Sequence, residues 1–287
     1  MHTPIFFPRK RLLTLNIKKG GGQEMSYETI IYEKENGIAT LTFNRPQVMN
    51  AGNYQMGTEA RAAVEEARDD DEVKVLIVTG AGRGFHAGDD VGQIFLAKDR
   101  EKRRTERKLA QVKGIERLLY LQGFNKPSIA AVNGPAVGLG LDITLSCDVR
   151  LASDNAKFGY FYVRRGLVGG AEGVVTLMYL LGVSRASEMM LSGELIDAAE
   201  AEKIGLVSRV VPPEQLMDEA GELAHKFMKV APLAQQVVKR AVHKAMFDPA
   251  GLSEFMAPMQ QALWETEDHL EGARAFAEKR EPVYKGR

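Results

Sequence analysis

Three short stretches hold the residue types that can do chemistry. "TGAGRGFHAGDDV", Thr79 to Val91, and "NGPAVGLGLDI", Asn133 to Ile143, each carry an apolar strand into a glycine turn and on toward a helix. Such turns expose main-chain N–H groups at a helix N-terminus, where they bind anions or a developing oxyanion. Two of them facing one another can hold one carbonyl oxygen between two donors. The third stretch, "KFGYFYVRRGLVGG", Lys157 to Gly170, packs four aromatics and two arginines into fourteen residues without a carboxylate. Around these lie the ionisable candidates. Asp142, just after the second turn, can move protons or cap the apolar helix that follows it. His86, in the first turn, can act as a catalytic base or make hydrogen bonds from a partly exposed position. If the third stretch is extended, Tyr160 and Tyr162 share one face and Phe161 takes the other. The expectation is that the tyrosines face a pocket and Phe161 faces the core.

Several other chemistries are excluded. "GAGRGFHAG" lacks the spacing of a dinucleotide fingerprint, and no Lys-Ser or Lys-Thr follows it to make a P-loop. With 38 basic and 38 acidic side chains the formal charge is zero, so no long-range field favours nucleic acid or an anionic membrane as partner. No run of about 18 apolar residues is present to span a bilayer. The one cysteine, Cys147, sits in an apolar run. It reads as a buried spectator and suits a reducing, cytoplasmic setting. His225, His243 and His269 show no ligand spacing with it, and no metal site is expected. Arg164 and Arg165 read as partners in surface or intersubunit ion pairs.

The elements that must position these residues follow from periodicity. Residues 1–24 read as a disordered tail, with "KKGGGQ" as linker and Met25 opening the folded part. "ETIIYEKENGIATLTFNRP" is a hairpin signal around "ENG". "NYQMGTEARAAVEEARDD" has helical spacing, with Met56, Ala60, Ala63 and Ala67 on one stripe. "VKVLIVTGAG" and "PSIAAVNG" are continuous apolar strands of the kind buried on both faces. Between them, the charged stretch from Ala97 to Gly123 is expected to be a surface helix. Beyond Pro212 the pattern is helical throughout. Residues 25–212 are therefore read as an α/β core and 213–287 as a helical region whose apolar residues are consistent with burial against a neighbouring copy.

At this point the chain resembles a family. "NRPQVMNA", "VLIVTGAGRGFHAGDDV", "KPSIAAVNGPAVGLGLDITLSCDVRLASDNAKFG", "LSGELIDAAEAEKIGLVSRVV" and "FAEKREPVYKGR" together look like the crotonase, or enoyl-CoA hydratase/isomerase, superfamily, from about Tyr27 to Arg287. The resemblance implies a spiral of ββα units with a helical C-terminal region, assembled as a homotrimer or a dimer of trimers. It implies an acyl-CoA substrate, with coenzyme A as part of that substrate and no further cofactor. The thioester carbonyl would sit between the backbone N–H groups of Asp89 and Leu139. Asn50, Ala51, Ala87, Gly88 and Asp89 would line the CoA arm, and Gly138 and Tyr160 the acyl group. Leucine replaces the usual glycine at Leu139, but the donor is main chain.

The resemblance also marks where hydratases of this superfamily carry two glutamates. The first position is Asp142, shorter by one methylene, roughly 1.5 Å. The second is Tyr162, a poor base at neutral pH. Asp89 and His86 stand behind these as second-rank catalytic candidates, Asp90 reads as a structural aspartate, and Glu172 lies near the place where related isomerases carry a carboxylate. The leading expectation is hydration of an enoyl-CoA through an enolate. The alternatives are decarboxylation, isomerisation or carbon-carbon cleavage on the same fold, with His86 and Tyr162 serving a decarboxylase, or acyl-CoA binding with little catalysis.

Overall fold

A computed structural model describes residues 27–96, 121 and 123–287. The expected tail falls outside these residues, as does nearly all of the charged segment from Ala97 to Gly123. Strands β1 (Ile30–Glu35) and β2 (Ile38–Phe43) form the expected hairpin, Glu35 opposite Ile38. Its two-residue turn puts Asn36 at φ 50° and Gly37 at φ 82°, the left-handed pair that matches the twist of flanking strands. Next comes helix α1 (Tyr54–Asp69), capped by the Asn53 side chain, which accepts the Met56 N–H. The predicted stripe is buried, with Val64 added to it.

Strands β3 (Val75–Gly80), β4 (Ser128–Val132), β6 (Val149–Ser153) and β9 (Arg209–Val211) extend the hairpin into a six-stranded sheet ordered β1-β2-β3-β4-β6-β9. Every pairing after the hairpin is parallel. All six residues of β3 are buried because its two faces feed two cores. Leu76 and Val78 join one cluster, with α1 and the helices α2 (Leu139–Ser146) and α3 (Ala171–Ser192). Val75 and Ile77 join the other, closed by Leu216, Ala220 and Ala224 of α5 (Leu216–Met228), which follows the short α4 (Ala198–Lys203). Each fully buried aliphatic side chain contributes roughly 1.5–3 kcal/mol. The expected boundary at residue 212 therefore cuts through packing: α5 completes the sheet's second face and belongs with the α/β core.

A second, three-stranded sheet, β5-β7-β8, forms from Ala136–Val137, Lys157–Gly159 and Leu195–Asp197. It joins the second glycine turn to the aromatic stretch. α3 has the length and apolarity of a membrane span, but Gly182, at φ 73° and ψ 163°, breaks it in two, and neither half has the ~20 residues a span needs. The remaining helices, α6 (Pro232–Phe247), α7 (Leu252–Trp264) and α8 (Glu267–Glu278), follow in turn; α6 and α7 bury no residue completely.

Candidate active site

The loop after β2 is sewn to the first glycine turn. Asn50, in the left-handed region at φ 57°, accepts the Arg45 N–H at 2.8 Å through Oδ1 and donates through Nδ2 to the carbonyls of Ala81 and Gly84. Met49 accepts the Ala87 N–H, Gly88 accepts the Gly52 N–H, and Gly52 accepts the Asp90 N–H. Arg45 donates to the Ala51 carbonyl and to Asp90 Oδ2 at 3.0 Å. Asp90 Oδ1 accepts the Gln93 N–H, which bears out the structural role expected of Asp90. Asn50 is fully buried with its amide committed, so its side chain holds the loop and does not line a ligand; this corrects the expected contact with CoA. In the parallel bridge between Gly52 and Asp89 it is Gly52 that makes both hydrogen bonds. The Asp89 N–H therefore points to the opposite side.

The second turn packs directly on the first. His86 donates its N–H to Pro135 and accepts that of Val137. A Cβ on Gly140 would stand 2.0 Å from the His86 carbonyl oxygen, and one on Gly88 (φ 87°) would stand 3.9 Å from the Leu139 nitrogen. The Leu139 N–H and the Gly88–Asp89 peptide are thus neighbours. Leu139 opens α2, so its N–H has no acceptor within the helix. Gly138 (φ 54°, ψ −119°) takes the conformation that a side chain would strain; Leu139 lies outside the left-handed region, and the leucine is accommodated without cost to the donor.

One helical turn further on, Asp142 is 3% exposed. Its Oδ2 accepts the Tyr162 hydroxyl at 2.6 Å. This sets aside the capping alternative, because the carboxylate faces the phenol. Its Oδ1 has no hydrogen-bond partner and abuts Gly173 in the first turn of α3, where a Cβ would come within 2.4 Å. Burial pushes the Asp142 carboxyl up to about 6. The Tyr162 bond pulls the other way, as does the Gly170 N–H, which faces the carboxylate without closing a hydrogen bond on it; the charges of Glu172 and Asp89 add to the rise. Burial, then the Asp142 charge, raises the Tyr162 phenol. Asp142, Tyr162 and Asp89 are therefore brought together, as the sequence suggested, beside the Leu139 N–H.

Three expectations need correcting. His86 is 1% exposed, not partly exposed. Its Nδ1 accepts the Gly88 N–H, its ring meets Phe43 edge-on, and burial pushes it down to about 3, so it is a neutral strut of the turn. Tyr160 is buried in the core and not open to an acyl group; its hydroxyl accepts the Gly169 N–H at 2.6 Å and its ring packs 5.1 Å from that of Tyr162. Phe161 is half-buried, with the Arg164 guanidinium 5.1 Å above its ring. The alternation failed because β7 ends at Gly159 and the chain turns into a 3-10 helix at Val163. Gly169 and Gly173, by lacking side chains, admit the two tyrosines and Asp142, a packing role that was not read from the sequence. Their signal was only that of glycines near a helix start. Cys147 is buried with its thiol pushed up to about 12, as expected of a spectator. No cluster of three metal-ligating side chains forms among the described residues.

A parallel sheet feeding two abutting glycine turns, with a short second sheet beside them, is the crotonase fold. The chain belongs to the enoyl-CoA hydratase/isomerase family, whose model matches residues 33–287. It is 37% identical over 264 residues to the 2,3-dehydroadipyl-CoA hydratase of Escherichia coli, covering 90% of this chain and 99% of that one. It is 36% identical over 260 residues to the short-chain-enoyl-CoA hydratase of Clostridium acetobutylicum, covering 89% and 97%. Among solved structures, an enoyl-CoA hydratase subunit from Geobacillus kaustophilus superposes with a TM-score of 0.82 at 37% identity, covering 91% of this chain and 99% of that one.

Proposed function

We propose that this chain hydrates an enoyl-CoA thioester through an enolate, with Asp142 and Tyr162 doing the work of two glutamates. The observation that carries the proposal is the 2.6 Å hydrogen bond from Tyr162 to Asp142 Oδ2, one helical turn from the Leu139 N–H. The N–H groups of Asp89 and Leu139 polarise the thioester carbonyl, which makes the β-carbon electrophilic. Tyr162 Oη takes a proton from water as it passes its own to Asp142 Oδ2, and the hydroxide adds to the β-carbon. The same pair, run backwards, returns the proton to the α-carbon, so H and OH add across the double bond. Asp142, with a carboxyl near 6, is ionised and ready to accept at neutral pH. The burial of His86 removes the side chain on which a decarboxylase alternative leaned. CoA enters as part of the substrate, with no other cofactor in the scheme, and the balanced charge and single cysteine support a cytoplasmic setting.

Tyr162→Phe is expected to cut turnover by about a hundredfold, read as slower loss of enoyl absorbance with crotonyl-CoA. Wild-type turnover in that variant removes the relay. Crotonyl-CoA and cyclic and aromatic enoyl-CoAs all left unchanged, while CoA-ester binding is measurable, would refute hydration itself. The same proposal includes self-association as a trimer or a pair of trimers. Val238 and Val242 on α6 are 59% and 57% exposed, and Val183 on α3 is 63% exposed, an apolar area that a second copy would cover. Sedimentation should return the mass of three or six copies, and Val242→Glu should shift it toward one.

A further inference from the structure

The Asp142 carboxylate has a second side that hydration through Tyr162 does not use. Oδ2 is engaged by the phenol; Oδ1 is buried, unpartnered and turned toward α3. There a small cavity is lined by Asp142, Ser146, Glu172, Gly173 and Thr176 among others, and neither Tyr162 nor either glycine turn contributes to its wall. It has room for about one water molecule. Ser146 and Thr176 also line a much larger groove between the core and α6, where His243 stands. Glu172 leans back over Gly170 and is close enough to both Asp142 and His243 for its charge to act on each. A continuous sequence of polar groups thus runs from the back of the catalytic carboxylate to an open surface without crossing the acyl site.

We propose that Asp142 exchanges its proton with solvent through Glu172, by way of a water seated in the cavity between them, on the side of the carboxylate opposite Tyr162. This rests on Asp142 being the proton-transfer carboxylate. After Asp142 takes a proton at Oδ2, a half-turn about Cβ–Cγ presents it at the Oδ1 position. The acid O–H breaks as the water gains that proton; the water gives one of its own to a Glu172 oxygen; Glu172 then releases it to the groove, with His243 as the next base. One O–H bond breaks and one forms at each step, and an unpartnered buried oxygen gains the partner that its burial otherwise lacks. With bound acyl-CoA closing the front, a rear exit lets the enzyme reset its proton without releasing the ester.

The groups facing Asp142 are Tyr162, Asp89 and Glu172; Glu172 is faced by His243, and His243 by Lys239. Two readouts test the route. With α-deuterated butyryl-CoA, which needs enolate formation but no hydration, the wild-type protein should wash deuterium into water, and Glu172→Gln should slow washout about tenfold with ester affinity unchanged. In the free protein, carbon-13 NMR of the Asp142 carboxyl should titrate lower in Glu172→Gln, because a negative neighbour is gone. It should titrate higher in Thr176→Leu, which fills the cavity and expels the water, but stay near wild type in the isosteric Thr176→Val. Unchanged washout in Glu172→Gln, or an unmoved midpoint in Thr176→Leu, overturns the route. Absence of washout from the wild-type protein counts against enolate chemistry instead, and the carboxyl titration then decides on the water link alone.

Discussion

Asp142→Asn is expected to lower kcat for enoyl-CoA hydration by at least about a hundredfold, because an amide can neither take nor return the proton passed by Tyr162. The pH profile should change with it. In the wild-type enzyme kcat/KM should be flat above about pH 6 and fall below it as the buried carboxyl protonates; that acid limb should vanish in the variant. The fold should not suffer. The folded carboxyl sits near 6 against 3.8 for its ordinary value, so the native state holds the extra proton between those values and loses stability as pH rises through them. At neutral pH the ionised group costs the fold roughly 3 kcal/mol. An uncharged amide of the same shape is therefore expected to leave the melting temperature unchanged or higher, which separates lost chemistry from lost structure. A variant that keeps wild-type kcat and its acid limb would remove Asp142 from the mechanism.

Gly140→Ala should damage the same reaction by a different route. Its added methyl would lie 2.0 Å from the His86 carbonyl oxygen and 3.1 Å from the His86 Cβ. These are backbone and near-backbone atoms that the hydrogen bonds to Pro135 and Val137 hold in place. The two turns must separate. Overpacking of this kind costs roughly 1–3 kcal/mol, visible as a lower melting temperature, while an ångström of separation between the two donors should cost about a hundredfold in kcat. Wild-type turnover and melting would show that the turns need not touch.

The larger elements were legible because each rests on a local rule with one outcome. Asn36-Gly37 fixes the hairpin, the Met56-to-Ala67 stripe fixes the buried face of α1, and the unbroken apolar run of β3 requires a core on each side. The glycine turns were legible as donors for the same reason: a strand ending in glycine before a helix leaves its N–H groups exposed. What escaped depended on where a segment stops. Tyr160 and Tyr162 do meet, but by way of a turn rather than a strand. Phe161 therefore lies over Gly159 and under Arg164, not in the core. His86 looked exposed because it stands in a glycine turn, yet Gly52 and Gly140, remote in sequence, let two other backbones close over it. The three-stranded sheet was not anticipated, since strands of two or three residues carry no usable period. The seat of Asp142 against Gly173 joins residues from two helices, and nothing local in the sequence announces such a contact.

The division of labour between Gly138 and Leu139 has a consequence for how this protein can change over time. Gly138 alone bears the backbone conformation that a side chain would oppose, while the donor beside it belongs to the main chain of an ordinary L-residue. The leucine side chain reaches toward the loop at Gly52, its Cδ2 3.4 Å from where a Cβ there would stand. Its size can therefore be altered without disturbing the N–H that it carries. Selection, natural or in the laboratory, has at Leu139 a position where the bulk beside the Gly52 loop can drift while the main-chain N–H is inherited intact.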